Sequence, residues 1–269
     1  MIVHDFSPIL VDLGFFQIRW YSVAYILGII LGWLYANKII KLTEINKYNF
    51  QQIKISHFSD LIIYLVLGII LGGRLGYVLF YNYEYYSQNF IEILKLWQGG
   101  MSFHGGLIGI VVSVVVFTKK TDTNFFKFTD IIACVAPIGI LFGRLANFVN
   151  GELYGKISTL PWAVIFPSGG DVARHPSQIY EAILEGIILF ILINYLALKK
   201  KLLFKTGYIS ALFLISYSIL RMLSENFREP DVHLGYLFKY FSMGTILSTI
   251  TLLAGCFIIF FIKKNEQNN

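Results

Sequence analysis

Arg144, Asn147 and Asn150 recur at every third residue within Gly143-Arg144-Leu145-Ala146-Asn147-Phe148-Val149-Asn150-Gly151-Glu152-Leu153-Tyr154-Gly155. On a helix this spacing stacks the three polar side chains on one face. The segment closes an apolar run that starts near Ile131, which places it at the end of a predicted membrane helix. An arginine at the centre of a bilayer costs roughly 2.5–3.5 kcal/mol on insertion scales, so it turns toward a protein cavity, a partner or a polar ligand. Two readings fit. The helix ends at the interface with the arginine snorkelling and Asn and Gly capping, or this face is an anion site at the membrane boundary.

A second polar face lies further along the chain. Tyr217, Arg221, Glu225 and Arg228 follow one another at spacings of four, four and three on an otherwise apolar helix. Such spacings share one side of a helix. Arg221 lies about one turn inside the predicted span, where pairing with Glu225 lowers the cost of its charge. The stripe reads either as a structural ion-pair ladder or, with Arg144 near the same depth, as half of a clamp on one phosphate. Arginine suits the second use because its planar fork binds phosphate oxygens in pairs and stays charged.

His104 stands in Gly99-Gly100-Met101-Ser102-Phe103-His104-Gly105-Gly106, which opens another apolar run. The glycines permit unusual backbone angles and leave room beside the imidazole. With an unperturbed pKa of about 6.5, that imidazole is a candidate general base, or a plain hydrogen-bonding residue at the interface. Ser102 lacks the closing glycine of a Gly-x-Ser-x-Gly elbow, so the segment does not read as a serine hydrolase. Gly68, Gly72 and Gly76 form a four-residue repeat of the kind that lets helix backbones approach closely. Arg74 among them serves either the site or a tie between helices. Cys134 and Cys256 have no nearby Cys or paired His and read as packing residues. No metal-ligand cluster is visible.

These groups need a scaffold, and composition names it. Hydrophobic residues make up 56% of the chain and charged residues 14%, against about 25% charged in soluble domains. Mean hydropathy is +0.65. Apolar runs of the length a bilayer requires lie at roughly 19–38, 58–80, 102–118, 129–149, 178–198, 207–225 and 239–262. The third and sixth are short. The fold expected is all-α: a polytopic integral membrane protein of seven transmembrane helices, one domain over residues 1–269, with a short external loop at 150–177. The N-terminal stretch has Asp5 and Asp12 but no basic region, so no cleavable signal peptide is expected and the first helix is retained. With the N-terminus outside, the internal segments hold Lys38, Lys41, Lys47, Lys54, Lys119, Lys120, Lys127, Lys199, Lys200, Lys201, Lys205, Lys263 and Lys264. The external segments and edges hold only Arg19, Lys95, Lys156, Arg174, Arg228 and Lys239. The positive-inside rule therefore favours an external N-terminus and a cytoplasmic C-terminus. The net charge of +6 follows from that lysine placement and from anionic lipid, and it needs no nucleic acid.

The Gly143–Gly155 segment resembles the signature of the prolipoprotein diacylglyceryl transferase family, bacterial inner-membrane enzymes that lipidate lipoprotein precursors. The family pattern is Gly-Arg, a variable residue, Gly or Ala, Asn-Phe, an apolar residue, Asn, then Glu and a Gly three beyond it. Every fixed position is met, with Ala146 in the Gly/Ala slot. Further segments resemble the family in the expected order: Trp20-Tyr21, Gly-Gly-Arg-Leu-Gly-Tyr around Arg74, the run around His104, Arg174-His175-Pro176-Ser177-Gln178-Ile179-Tyr180-Glu181, and Tyr217 to Asp231. The likeness runs from about residue 18 to 245. It departs between Pro167 and Arg174, where some members carry a long insertion forming a periplasmic head. Arg19, before Trp20-Tyr21, is assigned no role.

The resemblance implies a multi-pass enzyme of the bacterial inner membrane. Its N-terminus is then periplasmic, and its partners are phosphatidylglycerol, the lipobox segment of a prolipoprotein and the bilayer. It implies transfer of the diacylglyceryl group to the lipobox cysteine thiol, forming a thioether and releasing glycerol phosphate, with no cofactor required. The catalytic set implied is His104, Arg221 and Tyr217, and the phosphatidylglycerol-binding set is Arg144, Asn147, Glu152, Tyr21 and Glu225. His104 is the candidate base; Arg144 and Arg221 hold the phosphate; Asn147, Tyr21 and Tyr217 donate hydrogen bonds. Glu152 and Glu225 orient the arginines or bind the glycerol hydroxyls, while Gln178 and Glu181 brace the site or cap a helix start. Two close arginines would also lower the thiol's pKa directly, leaving His104 to position the substrate. A transporter for an anionic solute is the alternative, since intramembrane arginines also line permeation paths. It calls for internal repeats or broken helices in matching positions, and the sequence shows no convincing pair.

Cysteines introduced at Asp5 and Asn265 should be labelled from opposite faces of the membrane. Labelling from the same face would refute the seven-span topology.

Overall fold

The computed structural model describes residues 2–14, 17–45, 53–96, 99–230, 236–237 and 241–268. The long helices are α1 (Trp20–Ile45), α2 (Ile55–Phe80), α4 (Phe103–Thr121), α5 (Phe125–Val149), α8 (Tyr208–Glu225) and α9 (Met243–Asn268). A short α3 (Tyr83–Gln88) and a 3-10 turn (Phe90–Leu94) join α2 to the residues before α4. A further continuous helix, Ser177–Lys199, consists of α6 (Ser177–Glu181), a π-helical stretch (Ala182–Ile188), α7 (Leu189–Asn194) and a second π-helical stretch (Tyr195–Lys199). Helices satisfy their backbone groups within the segment, save at the ends, which is why apolar runs of this length fold this way in lipid.

Five helices among the described residues are long and apolar enough to cross a membrane: Trp20–Thr43, Ile55–Phe80, Phe125–Val149, Ser177–Lys199 and Met243–Gln267. At the other two predicted positions stand α4, of 19 residues, and α8, of 18 residues. Arg221 and Glu225 reduce the apolar character of α8. The chain is mostly helical, as expected, with a few short strands between the helices. Among the described residues, three small sheets accompany the helices: β1 (Ile2–Val3) with β4 (Val164–Ile165) and β5 (Ala173–Arg174), β2 (Ile9–Asp12) with β3 (Gln17–Arg19), and β6 (Tyr236–Leu237) with β7 (Phe241–Ser242). The first of these sheets pairs the N-terminal residues with the segment after α5, outside the long helices.

Contacts group the chain into two units, Met1–Ala36 with Asp130–Asn269, and Asn37–Thr129. In the second unit α2 and α4 run antiparallel along the predicted glycine seam: Gly68 faces Gly109, and Gly72 and Gly76 face Gly105. A Cβ on Gly109 would collide with the Gly68 carbonyl. The Ser113 hydroxyl donates to the Tyr64 carbonyl at 2.7 Å across the same seam. Arg74, buried on α2, ties main chain rather than helices. Its N–H groups donate to the carbonyls of Glu92, Ile93, Lys95, Gly99 and Gly100, and its guanidinium lies 5.0 Å from the Tyr86 ring centre. A guanidinium has five N–H donors, so these five carbonyls use its capacity. The Ser102 amide donates to the Gly73 carbonyl at 2.8 Å, and the Ser102 hydroxyl caps α4 by accepting from the Gly105 amide.

In the first unit the helices meet through small residues. A Cβ on Gly28 of α1 would stand 3.1 Å from the Gly139 Cα of α5, and one on Gly186 would press on Leu141. Asn194 joins three helices, donating to the Cys134 carbonyl at 3.0 Å and accepting from the Tyr35 hydroxyl at 3.0 Å. Cys134 is buried, as the sequence suggests, but Cys256 lies on the exposed face of α9 and does not pack. Asp130, fully buried near the start of α5, accepts from the amides of Gly207 (2.6 Å) and Ser210 (2.7 Å) and from the Ser210 hydroxyl (2.6 Å). It thereby caps α8, whose own N-cap, Gly207, has no side chain to do so.

That cap pins the starts of α5 and α8 together, so the two helices run in the same direction. Arg144 stands fourteen residues beyond Asp130, and Arg221 fourteen beyond Gly207. At 1.5 Å per residue each is carried about 21 Å along its helix, to one level. Replacing Asp130 with Ala strips the first turn of α8 of its acceptor and should lower stability by about 1–3 kcal/mol. Denaturant titration in detergent against Asp130→Asn, which keeps one acceptor oxygen, measures this; equal stability of the Ala variant and wild type would refute it.

Candidate functional site

At the end of α5, the start of the Ser177–Lys199 helix and the end of α8, three arginines and three glutamates form one network. Arg144 Nη1 lies 2.9 Å from Glu181 Oε2 and its Nη2 lies 3.0 Å from Glu185 Oε2, so one fork spans two carboxylates. Arg221 Nη1 lies 2.7 Å from Glu181 Oε1 and 3.5 Å from Glu185 Oε1, and its Nη2 lies 2.6 Å from Glu225 Oε2. Arg228, just beyond α8, reaches back to Glu181 Oε1 at 3.1 Å. The Ser224 hydroxyl is 3.0 Å from Glu185 Oε1, and the Ser242 hydroxyl donates to Glu225 Oε1 at 2.6 Å. Gly244, at the start of α9, leaves the room Glu225 occupies: a Cβ there would lie 2.5 Å from Glu225 Oε1.

Burial makes this network costly to build and costly to break. Glu181 and Glu185 have no accessible surface. Removing an ion from water costs several kcal/mol, which only well-placed opposite charge and hydrogen bonds offset. Here Glu181 and Glu185 each touch at least two guanidiniums. The Arg144 side chain keeps 18% of its surface, more than Arg221 at 10%. Tyr217 lies among the same charges, within electrostatic reach of Glu185, Arg144 and Arg221. The π-helical stretch carries Glu185, and departures of this kind from the α-helix occur often at functional sites.

A second polar group adjoins it through α5. Asn147 Nδ2 donates to Glu152 Oε1 at 2.8 Å and to the Tyr21 hydroxyl at 3.1 Å, and Asn150 Nδ2 reaches Glu152 Oε1 at 3.4 Å. Fully buried Gln178 donates to the Glu152 main-chain carbonyl at 2.7 Å. The chain turns here because Gly151 takes a φ of +64° one residue after Asn150, a conformation glycine adopts without a Cβ penalty. Gly155, the last position of the motif, is squeezed between two chain segments. A Cβ would lie 2.5 Å from the Phe227 carbonyl and 2.6 Å from that of His175. The same tight passage pairs Gly155 with Arg228, so it holds the segment that returns Arg228 to Glu181. Beside it, His175 Nδ1 is 3.2 Å from the Tyr180 hydroxyl, which accepts from Trp162 Nε1 at 2.7 Å. Burial and nearby Lys156 hold the His175 imidazole below its ordinary pKa.

Of the residues expected from sequence, Arg144, Arg221, Tyr217 and Glu225 come together in the ion-pair network, and Tyr21, Asn147 and Glu152 in the adjoining group. The Arg221–Glu225 pair forms as its spacing suggests. Glu152 does not orient the arginines: its carboxylate is held by asparagine amides because the turn at Gly151 carries it past the helix end. His104 opens α4 in the other unit, and its side chain lies outside the described residues. Glu181 proves to be the hub that three arginines share, and Gln178 braces the turn. Sequence reasoning missed Glu185 and Ser224. The signal for Glu185 was present: it follows Glu181 by four residues inside an apolar span, where a charge is as anomalous as Arg144.

Replacing Glu181 with Ala leaves three buried guanidiniums short of one counter-charge and should cost about 3–5 kcal/mol. Thermal unfolding in detergent measures the loss, and a melting temperature within experimental error of wild type would show that the hub is dispensable.

Residues 8–261 match the family model described as prolipoprotein diacylglyceryl transferase. A phosphatidylglycerol–prolipoprotein diacylglyceryl transferase of Rickettsia bellii is 47% identical over 261 residues, covering 96% of each chain. The enzymes of the same name from Rickettsia typhi and Rickettsia felis are 48% and 47% identical over 259 residues, covering 96% of this chain and 98% of theirs. With the signature residues gathered around the Arg144–Arg221 network and the match running nearly end to end, the chain belongs to the prolipoprotein diacylglyceryl transferase family.

Proposed function

We propose that this protein transfers the diacylglyceryl group of phosphatidylglycerol to the lipobox cysteine of a prolipoprotein, the first step of bacterial lipoprotein maturation. The observation that carries the reading is the meeting of Arg144 and Arg221 at one level through shared carboxylates. Two guanidiniums held that way form a preorganised seat for a phosphodiester. In the reaction the thiol sulfur forms a bond to the glyceryl carbon. The carbon–oxygen bond to phosphate breaks, and its electron pair leaves with glycerol phosphate. Charge then builds on the phosphate oxygens, where the two forks stabilise it. Tyr217 donates a hydrogen bond to the same group, and Glu225 orients Arg221. Asn147, whose two amide hydrogens go to Tyr21 and Glu152, turns one of them to the phosphate when the lipid binds. Glu152 is assigned to the glycerol hydroxyls. His104 accepts the thiol proton, an assignment supported by its glycine-framed motif. A free thiol of pKa about 8.5 needs such a base near neutral pH.

The protein acts in the bacterial inner membrane as one domain of seven spans, α4 and α8 included, with the N-terminus periplasmic and the C-terminus cytoplasmic. Lysine placement supports that orientation. In the first unit, the start of α1 and the ends of α5 and α8 carry the polar groups, and in this orientation all three face the periplasm, where lipobox cysteines are presented.

Transfer of radiolabelled glycerol from phosphatidylglycerol onto a lipobox peptide by the purified protein tests the reading, and no transfer would overturn it. In that assay His104→Gln should lose about 10²–10⁴-fold in turnover at neutral pH. Raising the pH toward the thiol's own pKa should recover part of the rate. Wild-type turnover in this variant would remove His104 from the mechanism and leave thiolate activation to the arginine pair.

A further inference from the structure

Among the described residues, the network of Arg144, Arg221 and Arg228 with Glu181, Glu185 and Glu225 is balanced in formal charge before any ligand arrives. A phosphodiester brings one more negative charge into it. Glu152 nearby is held by neutral amides and adds no cation. An uncompensated buried charge is strongly unfavourable, and a buried carboxylate answers it by taking up a proton.

We propose that Glu185 is the carboxylate that takes up a proton when a phosphodiester binds Arg144 and Arg221, with the Ser224 hydroxyl as its hydrogen-bond partner in both protonation states. The geometry around Ser224 carries this. Its Oγ is 3.0 Å from Glu185 Oε1 and 2.9 Å from the main-chain carbonyl of Arg221. While Glu185 is charged, the serine O–H donates to the carboxylate. Once Glu185 is protonated, its new O–H donates to Ser224 Oγ, and the serine O–H turns to the Arg221 carbonyl. No donor or acceptor is orphaned by the change, which a buried site requires.

The other two carboxylates are less suited. Glu181 is contacted by three guanidiniums, so its charge is the best compensated. Among the described residues, Glu225 meets Arg221 at 2.6 Å and accepts from Ser242 but makes no ion pair with Arg144, so a phosphate that takes the Arg144 fork displaces Glu185 and not Glu225. Glu185 faces Arg144 from α5, Arg221 and Tyr217 from α8, and Glu181 from its own helix. Its 3.5 Å contact with Arg221 is the longest ion pair of the network. The arriving phosphate competes for the same two forks and weakens the hold on this carboxylate first. The proton is taken up as the phosphate binds and is released again when the phosphate departs.

The inference rests on the phosphate reading of this site, and one experiment separates the two. Short-chain phosphatidylglycerol is titrated by calorimetry into the full-length protein in detergent, in two buffers of different ionisation enthalpy, above neutral pH. The wild type should take up about one proton per lipid bound, and its affinity should fall by up to about tenfold per pH unit as pH rises. Glu185→Gln, which mimics the protonated acid, should bind without proton uptake and with affinity that is flat over the same range. Ser224→Ala should bind with reduced uptake, and it provides a second variant should Glu185→Gln fold poorly. Lipid binding by the wild type without proton uptake would overturn the proposal, as would undiminished uptake in folded Glu185→Gln. Absence of lipid binding by the folded wild type would instead overturn the phosphate reading, and this inference with it.

Discussion

A charge buried in apolar surroundings has to be matched at contact distance, and in the first unit that requirement links one helix to the next. Glu181 and Glu185 can remain fully buried only because guanidiniums arrive from α5, from α8 and from the residue stretch beyond α8. Each arginine is in turn held by a carboxylate on a different segment. Removing any one member strands the others, which is why such networks resist partial loss even where a fully apolar replacement would be tolerated. The far end of the same helices obeys the same rule through Asp130, whose buried oxygens take their hydrogen bonds from the start of α8. Polar contacts thus fix the two ends, and small residues such as Gly28 and Gly186 bring the helices close between them.

The arginines of this chain differ in what they face rather than in what they are. Arg74 meets five main-chain carbonyls, and that saturates its donors. Neutral acceptors fix a loop in place but leave nothing with which to bind a ligand. Arg144 instead splits its fork between two carboxylates, and part of its side chain is accessible. An incoming phosphate offers such a fork the same geometry with an equivalent charge, so exchange between carboxylate and phosphate is chemically available there and not at Arg74. The glycines divide in a similar way. Gly68, Gly72 and Gly109 permit helix contact, whereas Gly151 and Gly155 permit a turn and a crowded crossing that carries Arg228 home.

Most of the scaffold was legible in the residues alone. The length of an apolar run decides whether a segment is a membrane helix, and the spacing of Arg144, Asn147, Tyr217, Arg221 and Glu225 decides which faces are polar. Both are local properties, set by helical period and by transfer free energy, and the long helices occur where those rules put them. The close-approach glycine face of α2 and the Arg221–Glu225 pair were readable for the same reason, because each follows from a repeat along one helix. The signature motif carried the family, since its fixed positions are contiguous.

Tertiary structure decided the partners. That Glu181 serves three arginines, that Glu185 and Ser224 join them, and that Glu152 pairs with asparagines instead depends on which helix faces oppose one another, and no period within a single helix encodes that. The pairing of β1 with β4 joins residues some 160 positions apart, and two-residue strands leave no pattern of their own to read. Cys256, apolar in context, turned out to face outward because an outer helix in lipid has no inward preference for a small apolar side chain. Local sequence therefore determined the helices and the polar faces they carry, through transfer energy and period. Only the packed structure, by the need to match every buried charge and hydrogen bond across segments, determined which of those groups meet.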